Sequence, residues 1–261
     1  MYNIFPISVC ILSMAYYVDG GTDEVGGNKE DTAIVIKAFG KNRPNVAPIR
    51  QIRDDKFDAD PAFPDICADI EVVLDYSCSL SRKTRDLARN ASKAIGYHLL
   101  DYDPSLLRTR FGIITYGDLV TRVKNLDEDA NAFELVARFD EIDVKRKQGP
   151  NCRTHTHLAL QEVQNSFKKY ERTDVQQIIL LFTDGLTFKR RNRASMYIAA
   201  DRLKTSGVII YTIQLPHKQG KFQEQEYLRV PHSENHLFNG TDIEITNLIV
   251  SQMRIDAPCL V

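Results

Sequence analysis

The sequence predicts an α/β fold: a doubly wound, mainly parallel sheet with helices on both faces. Three observations point to it. After residue 67, short and almost wholly apolar runs recur at the length of buried strands. Segments with apolar residues at helical spacing alternate with those runs. Polar loops follow the runs, as in open sheets whose function sits beyond the carboxyl ends of the strands. A strand apolar on both sides is one that helices cover on both faces, the environment of a parallel sheet.

The elements follow in order. Residues 70–74 form a first strand, ending in Asp75. Residues 81–99 place Leu87, Ala91, Ile95 and Leu99 on one helical face. Residues 111–116 are a second strand, extended by 120–123 through a turn at Gly117-Asp118. A short helix covers 130–139, and Leu160, Val163, Phe167 and Tyr170 mark another. Residues 175–182 are a third buried strand. Met196, Ala199, Ala200 and Leu203 form the next helix, Gly207 caps it, and 208–215 is the strand that follows. Residues 236–238 make a last short strand. Thr241 to Glu244 then has the spacing of a capping box, opening a final helix over 242–253.

Composition narrows the class. The chain has 261 residues, 43% hydrophobic and 26% charged, too apolar for a disordered chain. With 34 Lys+Arg against 35 Asp+Glu it has no global basic field for nucleic acid. No run reaches the roughly 20 apolar residues of a membrane span. Residues 1–15 are apolar from Ile4 and end in Ser13-Met14-Ala15, as a secretory signal peptide does. Residues 16–66, with paired glycines, scattered prolines and one strand at 32–38, read as a flexible leader before a domain at 67–261. Cys10 leaves with the signal, and Cys67, Cys78, Cys152 and Cys259 remain. That even number suits an oxidising compartment and leaves three pairings open. Asn90-Ala-Ser92 and Asn239-Gly-Thr241 are sequons, so both asparagines are expected to be glycosylated.

The polar loops carry the chemistry. Asp75-Tyr-Ser77-Cys-Ser79 follows the first strand, and Thr183-Asp184-Gly185 follows the third buried one. Residues 148–156 supply a loop with Thr154 and Thr156 ahead of a helix. Two carboxylates and three hydroxyls are hard oxygen donors, which suit Mg²⁺ or Ca²⁺ rather than Zn²⁺. Two acids leave a dication residual charge and open positions that a partner's carboxylate can fill.

These motifs, in this order and each after the expected element, resemble the von Willebrand factor type A domain and its metal-ion-dependent adhesion site. The resemblance covers residues 67–259 and implies the Rossmann-like fold of that family. It implies that Ser77 and Ser79 hold the metal directly, that Thr154 does so in the ligand-competent state, and that Asp75 and Asp184 act largely through water. The family's Thr-x-Thr-x-x-Ala-Leu pattern matches residues 154–160 and selects Thr154 over Thr156. Mg²⁺ is the first expectation, with Mn²⁺ or Ca²⁺ as alternatives. One departure stands out: Cys78 occupies a position where the family most often has Gly. With Cys152 two residues before Thr154, it implies a Cys78–Cys152 disulfide across two loops of the site, leaving Cys67 and Cys259 to close the domain's ends. The family also allows the last helix to shift when the metal's shell closes.

Rival chemistry is poorly served. A haloacid-dehalogenase-like phosphatase would need an acid where Ser77 stands. No Gly-x-Ser-x-Gly, His-Glu-x-x-His, phosphate-binding loop or dinucleotide fingerprint is present. His155 and His157 lack a second ligand pair at zinc-site spacing and read as solvated loop histidines. Basic clusters at Lys145-Arg146-Lys147 and Lys189-Arg190-Arg191-Asn-Arg193, with Arg82, Lys83 and Arg85, would rim the metal edge of such a sheet. They would steer an acidic extracellular protein, a matrix fibre of collagen-like kind or a sulfated glycan. The expectation is thus a secreted, non-enzymatic adhesion protein of the extracellular matrix. The alternative is a structural matrix component that self-associates or binds collagen- or byssal-like fibres without the metal.

Overall fold

The structure is a computed structural model and describes residues 66–100, 108–128, 131–145, 152–221 and 224–259. The expected signal peptide, nearly all of the leader and its strand at 32–38, and Arg146 and Lys147 lie outside the described residues. Within them the chain runs β1 (Ala68–Asp75), α1 (Arg82–Leu99), β2 (Arg110–Tyr116), β3 (Val120–Lys124), α2 (Ala132–Asp140) and α3 (Thr156–Lys169). It continues through β4 (Gln176–Thr183), α4 (Arg190–Thr205), β5 (Ile209–Gln214), α5 (Glu224–Arg229), β6 (Leu237–Asn239) and α6 (Ile245–Asp256). The described strands form one sheet in the order β3-β2-β1-β4-β5-β6, parallel throughout except for β3, which pairs antiparallel to β2. The doubly wound expectation holds. Strand β1 starts both halves of the sheet, so the order reverses beside it and its carboxyl end is the switch point.

Alternate residues of β1 build two cores. Ile70, Val72 and Leu74 pack with Ile95 of α1, Leu135 and Phe139 of α2, and Ile249 and Met253 of α6. Val73 points the other way, among Leu160 and Val163 of α3 and Met196 and Leu203 of α4. That second face of β1 also carries two buried acids, Asp69 and Glu71, inside a strand that reads as apolar at its centre. Arg110 and Arg172 hold Asp69 at 2.7 and 2.5 Å, and Arg122 holds Glu71 at 2.6 Å. Burial still pushes the Glu71 carboxyl up, against the pull of Arg122. Gly112 lies opposite Glu71 in the register. A Cβ there would come within 2.4 Å of Glu71 Oε2, so the close approach requires glycine.

Helix ends explain where the sequence pattern slips. Ser81 caps α1, its hydroxyl accepting from the Thr84 N–H at 3.0 Å. The buried face of α1 runs through Thr84, Ala88, Ser92, Ile95 and Gly96, rotated from the expected Leu87–Leu99 stripe. Gly96 lets Leu135 of α2 approach so closely that a Cβ would meet it at 2.4 Å, and this contact selects the face. The capping box forms at Asn131 and Glu134, ahead of α2. None forms at Thr241, whose hydroxyl donates instead to Asn239 Oδ1 at 2.9 Å, and α6 starts at Ile245. The Cys67–Cys259 disulfide, with Cα atoms 4.9 Å apart, joins the start of β1 to the segment after α6. The Cys67 N–H donates to Ala257 O beside it, at 2.9 Å. No described helix is long and apolar enough to cross a membrane.

Candidate metal centre

Three loops meet at the carboxyl edge of the sheet. The first leaves β1 at Asp75, where the Tyr76 N–H donates to Tyr116 O at 2.7 Å and extends the ladder by one rung. The chain then turns: the Ser77 N–H donates to Asp75 Oδ1 at 2.8 Å, which fixes the carboxylate. The same turn brings the Ser77 and Ser79 hydroxyls to 2.7 Å of each other. The second loop leaves β4. Its Thr183 hydroxyl faces Asp75 Oδ2 at 3.5 Å, and the Leu186 N–H donates to Asp184 Oδ1 at 3.1 Å. Gly185 turns this loop at φ +70°, with Tyr227 of α5 packed where a side chain would start, 2.7 Å from an added Cβ. Only glycine fits both constraints without strain.

The third loop, residues 152–155, is held from both sides. The Arg153 N–H donates to Asp118 Oδ1, and the His155 N–H to Gly117 O, both at 3.1 Å. The Phe188 N–H donates to Thr154 O at 2.9 Å, tying this loop to the one after β4. Toward the first loop, a Cys78–Cys152 disulfide (Cα atoms 5.0 Å apart) runs beside a Cys78 N–H to Cys152 O bond of 3.1 Å. Both disulfides are therefore the pairs that the resemblance implied. Asp75, Ser77, Thr154 and Asp184 are buried, and Ser79 is half-buried.

The electrostatics describe a deficit of positive charge. Burial pushes the Asp75 carboxyl well above the usual carboxylate range, and the neighbouring Asp184 charge adds to it. Burial raises Asp184 too, opposed by the Ser79 hydroxyl and the Leu186 N–H. Asp184 Oδ2 is buried without a hydrogen-bond partner among the described residues. Two acids facing one set of hydroxyls, one oxygen of them unsatisfied, fit a hard dication taken up by oxygen donors. Among the described residues no group of three or more His, Cys, Asp or Glu converges, so the donor set is not that of a structural zinc site.

Other residues named from the sequence fall as follows. Lys189, Arg190 and Arg191 are exposed at the start of α4, and Lys145, Arg82 and Lys83 are exposed as well. Two of the expected rim cations have partners within the fold. Arg193 stays half-buried, its Nε 3.4 Å from Glu226 Oε1. Arg85 is buried, donating from Nη1 to Tyr76 O at 3.5 Å, because a helical residue one turn in from the loop faces the packed side there. Asn90 is exposed in mid-α1, and Asn239 is exposed at the end of β6. His155 is not fully solvated, since its Nδ1 lies 3.2 Å from Asn192 Nδ2. Burial lowers the pKa of both His155 and His157.

Three supporting residues escaped sequence reasoning. Tyr227 donates from its hydroxyl to Thr183 O at 3.3 Å. Glu226 is buried, accepts from Thr187 N at 3.2 Å and from the Thr187 hydroxyl at 3.0 Å, and so braces the Asp184 loop from α5. Neither residue belongs to a periodic pattern, because α5 is six residues long and its contacts lie about forty positions away. Thr183 stands in the sequence only as part of its motif, and the fold makes it a partner of Asp75.

The von Willebrand factor type A domain matches residues 69–252. No curated protein sequence matches the chain. Among solved structures, proximal thread matrix protein 1 of the mussel byssus shares 20% identity at a TM-score of 0.58, over 74% of this chain and 47% of that one. This chain therefore spans about half of that protein. Manganese-loaded TRAP of Plasmodium vivax shares 16% identity at a TM-score of 0.57, over 71% of this chain and 73% of that one. The vWF domain of the type V pilus tip protein Mfa5 of Porphyromonas gingivalis shares 14% identity at a TM-score of 0.57, over 73% and 95%. At these identities the structural likeness is one of fold.

Proposed function

The chain belongs to the von Willebrand factor type A domain family, and from that premise we propose that it is a secreted adhesion protein that engages an acidic partner through a divalent cation. Asp75, Ser77, Ser79, Thr154 and Asp184 would hold the ion. The observation that carries this is the pair of buried carboxylates, Asp75 and Asp184, neither in an ion pair with any described Lys or Arg. A bound cation supplies a Lewis-acidic position for a partner's carboxylate oxygen. The chain's own residues supply the rest. Ser77 N–H orients Asp75, Leu186 N–H orients Asp184, and the three loops exclude water from both acids. Mg²⁺ is the ion proposed, with Mn²⁺ or Ca²⁺ next. The mussel protein has been solved with zinc in its MIDAS motif and TRAP with manganese, which supports a divalent site. The reading assigns no catalysis.

The exposed Lys189, Arg190 and Arg191 would steer the acidic partner, whether matrix protein or sulfated glycan. A second reading, fibre binding without metal, is favoured by apolar side chains on helix surfaces: Leu228 of α5 is 67% exposed and Ile255 of α6 is 73% exposed. Calorimetric titration of the intact chain with Mg²⁺ and Mn²⁺ tests the first reading. One ion per chain is expected, with uptake lost in Asp75→Ala. If binding to collagen-coated or heparin-coated surfaces survives both EDTA and Asp75→Ala, the metal-independent reading replaces it.

A further inference from the structure

We propose that the Cys78–Cys152 disulfide is a positioning device for the cation site, and that it sets the affinity of that site. It holds the Thr154 loop against the Ser77 and Ser79 loop before a cation arrives. The inference rests on the metal reading above and goes beyond it in assigning a role to two residues that donate nothing to the ion.

Cys78 stands between Ser77 and Ser79, and Cys152 stands two residues before Thr154, so the cross-link joins the two hydroxyl-bearing loops at their donors. The loops are 74 residues apart in sequence. Collecting chelating groups from such distant segments costs ordering free energy at the moment of binding, unless the fold has already met that cost. The other ties of the Thr154 loop run elsewhere. Arg153 and His155 are anchored to the β2–β3 turn at Asp118 and Gly117, and Thr154 O is anchored to Phe188. Between the Thr154 loop and the Ser77 loop, the ties among the described residues are the disulfide and the single Cys78 N–H to Cys152 O bond. Cys152 also adopts φ +56°, a left-handed backbone uncommon for a residue with a side chain. A cross-link that holds this conformation removes the alternatives the free loop would sample. The Cys67–Cys259 disulfide spans more sequence, 192 residues, yet it joins the start of β1 to the chain after α6 and touches none of the donors. It serves as the internal control.

The test uses the full chain in three forms: wild type, Cys78→Ser with Cys152→Ser, and Cys67→Ser with Cys259→Ser. Mn²⁺ alone is the probe, followed by titration calorimetry and by the electron paramagnetic resonance of free Mn²⁺. The site variant is expected to lose on the order of tenfold in Mn²⁺ affinity, since donors otherwise preorganised must be ordered on binding. The control variant should stay within about twofold of wild type. In the metal-free proteins, hydrogen exchange at the residue-78 amide should quicken in the site variant, while the centre of β4 stays protected. Should the serine pair not fold, Cys78→Gly with Cys152→Ala is measured by the same criteria, and failure of both to fold overturns the proposal in favour of a folding role. Equal Mn²⁺ affinity in folded site variant and wild type overturns the clamp and leaves the metal reading standing. Absence of Mn²⁺ uptake by wild type overturns the metal reading and the clamp with it.

Discussion

Glu226→Gln makes a sharp probe of how the Asp184 loop is braced. Glu226 is 3% exposed and accepts three hydrogen bonds from Thr187, with Arg193 at 3.4 Å. Burial is the largest influence and lifts its carboxyl from 4.5 to about 7, against the pull of Thr187 and Arg193. The folded state therefore holds this proton more tightly than the unfolded chain does. The stability it contributes is complete below about pH 4.5 and drains away as the pH rises through about 7. A gap of about 2.5 units at roughly 1.4 kcal/mol each gives about 3 kcal/mol across that window. Glutamine resembles the protonated acid and does not titrate. Urea unfolding in EDTA from pH 4.5 to 8 should show the variant gaining about 3 kcal/mol on wild type, nearly all of it between pH 4.5 and 7. Asp75 titrates in both proteins and cancels in the difference, whereas Asp184, whose charge helps to raise Glu226, is part of the effect measured. Parallel curves would refute the reasoning, because they would mean that Arg193 and Thr187 fully offset the burial of the charge.

Gly112→Ala places a methyl 2.4 Å from the Glu71 carboxylate, which Arg122 pins, and should cost about 2 kcal/mol by overpacking, read as a lower urea midpoint at unchanged slope. Gly185→Ala combines a left-handed backbone with contact against Tyr227 and should cost about 2–4 kcal/mol while weakening Mg²⁺ uptake in calorimetry. Reversing Lys189, Arg190 and Arg191 to Glu should leave Mg²⁺ uptake intact but lower the rate of binding to a heparin-coated surface at low salt, with the difference vanishing near 1 M salt.

The parts of this molecule that sequence disclosed are those written in local pattern. Apolar runs such as 178–182 became buried strands because both faces are covered, and Asp75, Ser77 and Asp184 followed those runs directly into the loops at the carboxyl edge. What stayed hidden depends on partners distant in the chain. Glu71 inside β1 breaks the apolar pattern, and only Gly112 opposite and Arg122 on β3 make room and charge for it. Arg85 reads as a rim cation from its neighbours in sequence, but helical phase buries it against Tyr76, and Arg193 keeps partial exposure while reaching Glu226. Thr241 and Glu244 had the spacing of a capping box, yet Asn239, two residues upstream, took the hydroxyl first. Glu71 and Arg193 are thus settled by partners far along the chain, and Thr241 by a competing one two residues away.

The buried acids themselves separate the structural from the functional. Asp69, Glu71 and Asp75 lie on one strand, and Asp184 follows the strand beside it. All four are buried, so each carries a desolvation cost if ionised. Toward the amino end the fold answers with guanidinium groups: Arg110 and Arg172 on Asp69, and Arg122 on Glu71. At the carboxyl end it answers with the Thr183 hydroxyl and backbone N–H groups, which orient Asp75 and Asp184, and among the described residues no Lys or Arg forms an ion pair with either. An arginine at the carboxyl end would satisfy the acids as well as it does at the other, so stability alone gives no reason for the difference. The difference makes sense if the missing charge is meant to come from outside. It follows that a lysine or arginine brought into the site, as in Ser77→Lys, should stabilise the metal-free protein against rising pH while abolishing Mg²⁺ uptake. A variant that folded and still bound the ion would show that the two carboxylates are not where the cation sits.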